Sequence, residues 1–199
     1  LVDKIVSNPQ GIFYKQGIKM VRYADDFVLM GRKITEEAMD KLRNILARMG
    51  LTLNETKTRQ VQAKEEPFNF LGFTVRYDKD IHGRKNHYWN IFPSSKSENK
   101  VREKLREFLE HSGHFKPIDV AYGLNTILRG WLNYFDIPKL SYPAMCKRDI
   151  RYYLVDKLYR YYNRKSQRRS SLHGTQAFEL LVMKHGLIDP TKYFVKVKL

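Results

Sequence analysis

The sequence is short of three features that would direct its interpretation elsewhere. It has one cysteine, Cys146, so it cannot form an internal disulfide, and no His or Cys spacing around it matches a zinc site. It has no apolar run of about eighteen residues and no charged-then-apolar leader, which argues against a transmembrane helix or a signal peptide. Acidic residues number 21 against 37 Lys and Arg. We therefore expect a buried Cys146 and an intracellular protein.

The excess of basic charge indicates the class of partner. The formal net charge is +16 at pH 7, which favours binding to a polyanion such as nucleic acid. An anionic membrane surface would satisfy the same charge, but the lack of long apolar runs disfavours it. Residues 1–80 hold 14 basic and 11 acidic residues, and residues 81–199 hold 23 and 10. The surface that faces the polyanion is therefore expected mainly in the C-terminal part.

The first part of the chain shows alternating apolar patterns broken by turn signals. Ile18–Arg22 and Phe27–Met30 are predicted strands on either side of Asp25 and Asp26, and Thr35 begins a predicted helix that ends at Gly50. Further strands are predicted at the end of this part, at Arg59–Gln62, Phe68–Tyr77 and His87–Phe92. This pattern predicts an antiparallel sheet with a packed helix.

Helical spacing of apolar residues replaces strand patterns from Pro93 onward. Helices are predicted around Val101–Leu109, Val120–Phe135, Lys147–Ser166 and Thr175–Lys184, the last capped at Gly186. The predicted fold class is α+β, with residues 1–92 as a mixed domain, 93–170 as an all-α domain and 171–199 as a C-terminal extension. Trp131 and Phe135 are expected in the core.

Two adjacent aspartates at a predicted hairpin turn carry the strongest chemical signal. Nucleotidyl transfer by two divalent ions needs carboxylates fixed on a rigid element, and Asp25 and Asp26 meet that need. The alternative is that aspartate is simply common in turns.

The third helix carries the second signal. Its cationic residues recur at a spacing able to follow phosphates, and its tyrosines offer faces for stacking. The cations are Lys147, Arg148, Arg151, Lys157, Arg160, Arg164 and Arg168, and the tyrosines are Tyr152, Tyr153, Tyr159 and Tyr162. The alternative is a solvated charged face whose tyrosines pack on the core.

Several segments resemble a known family. Val21–Leu29, with Tyr-Ala-Asp-Asp at Tyr23–Asp26, resembles the metal-binding palm hairpin of group II intron reverse transcriptases. Gly50–Thr58 and Phe68–Phe73 resemble the two motifs that follow it. Pro93–Lys96, Leu128–Phe135 and the basic helix resemble the thumb, or maturase domain, of the same proteins.

The resemblance implies roles for individual residues. Asp25 and Asp26 would be catalytic and would hold Mg²⁺ or, alternatively, Mn²⁺. Tyr23, Lys57, Gly72 and Phe73 would contact nucleotide or primer. Expected partners are RNA, an RNA–DNA hybrid and, if the active site is completed, a deoxynucleoside triphosphate.

The resemblance begins part-way through the family palm. The earlier palm aspartate and the fingers would precede residue 1, and Asp3 is a poor substitute for that aspartate. The chain alone is therefore expected to be inactive. Its expected partner is the missing segment that carries the fingers and the earlier part of the palm. The expected location is a bacterial cytoplasm. One alternative is a non-catalytic maturase-type protein that binds intron RNA and assists its folding and splicing. Another is a defective remnant with an exposed sheet edge.

Overall fold

The computed structural model describes residues 6–80, 86–164 and 172–195. The chain divides into two compact units, residues 1–62 and 63–199. Both antiparallel sheets and long helices are present, which confirms the predicted α+β class. The predicted domain boundary near Pro93 coincides with the change from the last strand to the first long helix of the second unit. The boundary between the two compact units lies earlier, at residue 62. The three-part domain division remains a prediction.

The first unit is a hairpin with a helix beside it. Its elements are α1 (Ile12–Lys15), β1 (Lys19–Tyr23), β2 (Asp26–Met30) and α2 (Glu36–Arg48). Helix α2 begins as predicted, because the Thr35 side chain accepts a hydrogen bond from the Ala38 amide and two glutamates occupy the first turn. Its buried stripe packs with Phe13, Ile18 and the inner residues of the hairpin.

The second unit begins with a three-stranded sheet. Its strands are β3 (Phe68–Phe70), β4 (Phe73–Lys79) and β5 (His87–Pro93), all antiparallel in the order β3-β4-β5. The strand predicted at Phe68–Tyr77 is therefore two strands joined by a turn at Leu71 and Gly72. The strand predicted at Arg59–Gln62 is wrong, because this segment has no strand pairing and stays irregular.

Helices form the rest of the second unit. They are α3 (Ser95–His111), α4 (Pro117–Phe135), α5 (Ala144–Arg164) and α6 (Ala177–His185), followed by a 3-10 turn at Pro190–Lys192. Gly186 caps α6 in the left-handed conformation, as predicted. The last two residues of the predicted helix Lys147–Ser166 lie outside the described residues.

One apolar core joins these helices. Leu105 on α3, Leu128 on α4 and Leu154 on α5 are fully buried in it, and Trp131, Phe135 and Cys146 are buried as expected. The described part of the predicted C-terminal extension belongs to the same core, through Phe178 and Leu181 among others. Residues 172–195 therefore pack with the helices of the second unit.

Candidate functional site

The two aspartates lie at the tip of the β1–β2 hairpin. Tyr23 and Asp26 are the last paired positions, so only Ala24 and Asp25 form the connection. Ala24 has φ 49°, a left-handed conformation that disfavours residues with a Cβ by roughly 1–2 kcal/mol. Strand pairing holds it there, and Tyr23, Asp25 and Asp26 are all exposed. The turn presents adjacent carboxylates on a rigid backbone.

The metal-binding capacity of this hairpin is partial. Within residues 6–80, 86–164 and 172–195, no group of three or more His, Cys, Asp or Glu side chains could hold a metal ion. Carboxylate oxygens are the donors that Mg²⁺ and Mn²⁺ prefer, so Asp25 and Asp26 fit such an ion as part of a larger ligand set. Asp3 lies outside the described residues.

Lys57 lies in a turn that Asn54 organises. The Asn54 carbonyl accepts hydrogen bonds from the Lys57 amide at 3.0 Å and from the Thr58 hydroxyl at 2.9 Å. The Asn54 side chain accepts from the Thr56 hydroxyl at 2.7 Å, an arrangement typical of Asn in turns. The Lys57 side chain is exposed, so its ammonium group is available to an anion.

Gly72 lies in the turn between β3 and β4, at a position that only glycine suits. Both turn residues have positive φ, 50° at Leu71 and 80° at Gly72, as a two-residue type I′ hairpin turn requires. A Cβ on Gly72 would lie 2.9 Å from the Ser97 hydroxyl oxygen. The Gly72 carbonyl accepts from the Ser94 amide and from the Ser97 hydroxyl, both at 2.8 Å. The turn is thus fixed to the start of α3.

Phe73 packs against α4. Its ring stacks on Tyr134 with centroids 5.7 Å apart and meets Phe135 edge-on at 4.9 Å. The Tyr134 hydroxyl donates to the Leu71 carbonyl at 3.0 Å. Half-buried Phe73 is therefore first a packing residue that holds the turn in place.

Lys147 does not lie on the surface predicted for it. It is only 7% exposed, and its ammonium group donates to the Asp136 carboxylate at 2.6 Å and to the Tyr193 carbonyl at 2.9 Å. The prediction that Lys147 contacts nucleic acid is wrong, because Asp136 neutralises its charge inside the protein. The physical reason is its position three residues before buried Ile150, on the core stripe of α5.

The remaining cations of α5 differ in their availability. Arg151 contacts Glu179 at 2.7 Å and Asp189 at 3.3 Å, and Arg160 contacts Asp156 at 2.9 Å. Lys157 lies over the Tyr153 ring, 5.4 Å from its centroid. Arg148 and Arg164 are exposed, and Arg168 lies outside the described residues.

The tyrosines of α5 divide between core and surface. Tyr162 is buried, and half-buried Tyr153 donates from its hydroxyl to the Arg102 carbonyl at 3.0 Å. Burial raises the pKa of both phenols, Tyr162 more than Tyr153. Tyr152 and Tyr159 are 59% and 53% exposed. Two of the four α5 tyrosines predicted to offer rings are therefore open, and the fifth tyrosine of the helix, Tyr161, is half-buried.

An exposed stripe along α5 connects these open rings. It consists of Met145, Arg148, Tyr152, Val155 and Tyr159, and we call it the Tyr152 face. The spacing of three and four residues places all five on one side of the helix. The sequence prediction selected only cations and tyrosines of this helix, so it did not include Met145 and Val155 in the surface. Their helical spacing from Tyr152 could have identified them.

Comparisons with known proteins match both parts of the chain. A model of reverse transcriptase (RNA-dependent DNA polymerase) matches residues 1–75, and a model of the group II intron maturase-specific domain matches residues 98–175. Together, these two matches support a group II intron reverse transcriptase and maturase. An uncharacterized 91 kDa protein in cob intron of Schizosaccharomyces pombe is 29% identical over 133 residues. The alignment covers 58% of this chain and 16% of that relative.

The two family matches divide the site residues between them. The reverse transcriptase match contains the Asp25 hairpin, the Lys57 turn and the Gly72 turn, and the maturase match contains the Tyr152 face. Residues 76–97 lie between the two matched segments. No helix in the described part of the chain is long and apolar enough to span a membrane.

Proposed function

We propose that this chain supplies the end of the palm, residues 1–92, and the thumb, residues 93–170, of an RNA-directed DNA polymerase of the group II intron type. The observation that carries this proposal is the tight β1–β2 turn, which presents the exposed carboxylates of Asp25 and Asp26. These carboxylates would hold Mg²⁺ or Mn²⁺, and a bound ion would supply the positive charge that activates an attacking hydroxyl and stabilises a transferred phosphoryl group.

Other residues of the chain bind and position the substrates. Lys57, in the turn that Asn54 organises, contacts the phosphates of the incoming deoxynucleoside triphosphate. Tyr23, beside Asp25 at the tip of the β1–β2 hairpin, contacts the nucleotide or the primer. Gly72 and Phe73 hold the primer end through a turn that hydrogen bonds fix to α3.

The Tyr152 face binds RNA or the RNA–DNA hybrid. Tyr152 and Tyr159 offer rings for the sugars of a duplex, and Arg148 and Arg164 offer charges for its phosphates. Because Lys147, Arg151 and Arg160 are engaged in internal ion pairs, fewer phosphates are neutralised than the sequence spacing suggests.

The chain alone does not polymerise under this proposal. Two carboxylates are fewer than a two-metal site needs, and the described residues offer no cluster of three ligands. A segment carrying a further palm aspartate and the fingers completes the site. The 16% coverage of the S. pombe relative leaves room in such a protein for that segment.

Primer extension on an RNA template with Mg²⁺ tests this proposal. The chain and its Asp25→Asn variant are assayed alone and with a separately expressed fingers and palm segment from a group II intron reverse transcriptase. Extension should require the added segment and vanish in Asp25→Asn, while Glu37→Gln, which removes an exposed carboxylate on α2, should have no effect. Extension by the chain alone would contradict the incomplete site.

A non-catalytic maturase role is the second candidate, and the exposed Tyr152 face within the maturase match favours it. RNA binding measured in the same samples separates the two roles. Unchanged RNA affinity in Asp25→Asn with loss of extension supports the polymerase. The maturase role is supported if the chain accelerates splicing of a group II intron, Asp25→Asn does not reduce this acceleration, and no mixture extends the primer.

A further inference from the structure

Three aromatic rings form a continuous row on one face of the β4–β5 ribbon. Tyr77 and His87 stack with centroids 5.2 Å apart and planes 14° from parallel, and Tyr77 and Trp89 are 4.9 Å apart. Tyr77 and Trp89 are directly paired across the two strands. We call these three side chains the ring row. Trp89 remains 42% exposed and His87 is exposed, so the row is open to a ligand.

Positive charge accompanies the ring row. The Lys64 ammonium group lies 5.8 Å from the centroid of the Tyr77 ring, within reach of a cation–π contact. Lys79 is the register partner of His87 and shares a face with Tyr77, because alternate strand residues point the same way.

The carboxylate of the ribbon lies on the opposite face. Asp78 accepts hydrogen bonds from Arg76 at 2.6 Å and from Asn90 at 2.7 Å. Arg76 and Asn90 share that face with Asp78, by the same alternation. One face of the ribbon thus combines the ring row with the ammonium groups of Lys64 and Lys79, and the other holds Asp78 with its partners and the Tyr88 ring.

We propose that the ring row is a stacking site for unpaired nucleotides of a single-stranded nucleic acid. Flat π-faces flanked by cations are the features that bind single strands, because every base can stack and the phosphates meet the cations. Cross-strand ring pairs also stabilise a sheet, but two rings suffice for that purpose and do not require the 42% exposure of Trp89. The ring row lies in residues 76–97, between the two family matches, so neither match assigns it a role.

The site is distinct from the Tyr152 face in its ligand. The ring row takes bases that are not paired, whereas a duplex hides its base faces and offers mainly phosphates and sugars. Single-stranded and duplex RNA therefore separate the two sites.

Tryptophan fluorescence provides the first test. The chain has two tryptophans, and Trp131 is only 8% exposed, so a ligand that quenches emission on contact reports Trp89. A single-stranded RNA of about eight nucleotides should quench the emission of the unmodified chain, and inorganic polyphosphate should not. Absence of quenching at RNA concentrations that saturate binding by anisotropy would overturn the proposal.

Substitutions provide the second test, with anisotropy of the same single strand and of an RNA duplex. Trp89→Val keeps a strand-forming residue and should weaken single-strand binding by about 5- to 150-fold while duplex binding stays within about twofold. Tyr88→Val, which removes the neighbouring ring on the opposite face, is the matched control and should leave both affinities unchanged.

Two outcomes would overturn the proposal, and a replacement variant covers the case in which Trp89→Val does not fold. Equal losses for single strand and duplex in Trp89→Val would overturn the ring row as a single-strand site. Concentration-dependent dimerisation that Trp89→Val abolishes would make a second copy of the chain the occupant instead. If far-UV circular dichroism shows that Trp89→Val is unfolded, His87→Thr at the start of β5 replaces it, with a smaller loss expected for the single strand only.

The polymerase proposal and the ring-row proposal can be refuted separately. Loss of duplex binding in a Tyr152→Ala, Tyr159→Ala double variant, with single-strand quenching intact, would assign the two ligands to separate surfaces. Quenching without any extension in the completed enzyme would refute the polymerase and leave the ring row standing.

Discussion

The Nζ atom of Lys147 lies 2.6 Å from a carboxylate oxygen of Asp136, with both side chains largely removed from solvent. The pair joins α5 to the residue that ends α4, and the same ammonium group donates to the Tyr193 carbonyl near the C-terminus. Three segments of the second unit therefore meet at one charge. Removing that charge leaves a buried acceptor without a donor.

Lys147→Ala should destabilise the folded chain without a direct effect on RNA affinity. Breaking a buried ion pair from one side typically reduces the free energy of unfolding by about 3–5 kcal/mol, because the remaining charge is left unpaired. Urea unfolding measures the change. Arg148→Ala, at the next residue and exposed, is the matched control: it should change stability by less than about 0.5 kcal/mol and weaken RNA binding. Equal stability of the two variants would contradict the structural role of Lys147.

Two glycines of α4 should respond to alanine in opposite directions. A Cβ on Gly123 would overlap the Phe108 ring, whereas a Cβ on Gly130 would meet no atom within 4 Å. Gly123→Ala should therefore lower the free energy of unfolding by about 1–3 kcal/mol through overpacking. Gly130→Ala should raise it by about 0.5–1 kcal/mol, because alanine loses less backbone entropy in a helix. Thermal and urea unfolding of both variants check the signs, and the same sign for both would refute the packing argument.

The ion pair of Asp78 should contribute to stability at neutral pH and lose its contribution in acid. The Arg76 guanidinium, and to a smaller extent the Asn90 amide, holds the pKa of the Asp78 carboxyl below its ordinary value, against the opposing effect of burial. A carboxyl with a depressed pKa in the folded state stabilises the protein above its unfolded pKa of about 3.9, and the contribution disappears as pH falls through the folded pKa. Arg76 is half exposed, so we expect at most about 1 kcal/mol.

Urea unfolding at about pH 6 and about pH 3 measures this contribution. The loss of stability between the two pH values should be smaller in Asp78→Asn than in the unmodified chain. Glu65→Gln, which changes an exposed carboxylate nearby in sequence, should keep the full loss. An identical loss in Asp78→Asn would show that Asp78 titrates alike in the folded and unfolded states.

Local signals explain which elements could be predicted from sequence. The β1–β2 hairpin and α2 depend on neighbours in sequence, through strand alternation and the Thr35 cap, and both predictions were confirmed. The Leu71–Gly72 turn was missed because leucine is not a turn residue, and its φ of 50° is maintained by contacts with α3 and α4. Arg59–Gln62 contains one strong strand former, Val61, and a strand also needs a partner, which the local sequence does not specify.

Residue charge alone was a poor guide to which side chains of α5 are exposed. Lys147 and Tyr162 lie on the same helical stripe as Ile150, Leu154 and Leu158, and all five are buried. Helical spacing could have assigned them to the core, whereas residue type suggested a surface. Arg151 forms ion pairs with Glu179 and Asp189. These partners follow 28 and 38 residues later in the sequence, so no local pattern could reveal them.

Asn125 should be essential for attaching the C-terminal segment to α4. Its side-chain amide donates to the Gly186 carbonyl at 2.8 Å and its oxygen accepts from the Ile188 amide at 2.7 Å. Asn125→Ala leaves two backbone groups without partners and should lower the free energy of unfolding by about 2 kcal/mol or more. Hydrogen exchange adds a local readout, because the Ile188 amide should lose protection before the rest of the core. Thr126→Ala, which removes a hydroxyl that donates to the Tyr122 carbonyl of its own helix, should leave both stability and Ile188 protection unchanged, and similar exchange in the two variants would contradict the attachment.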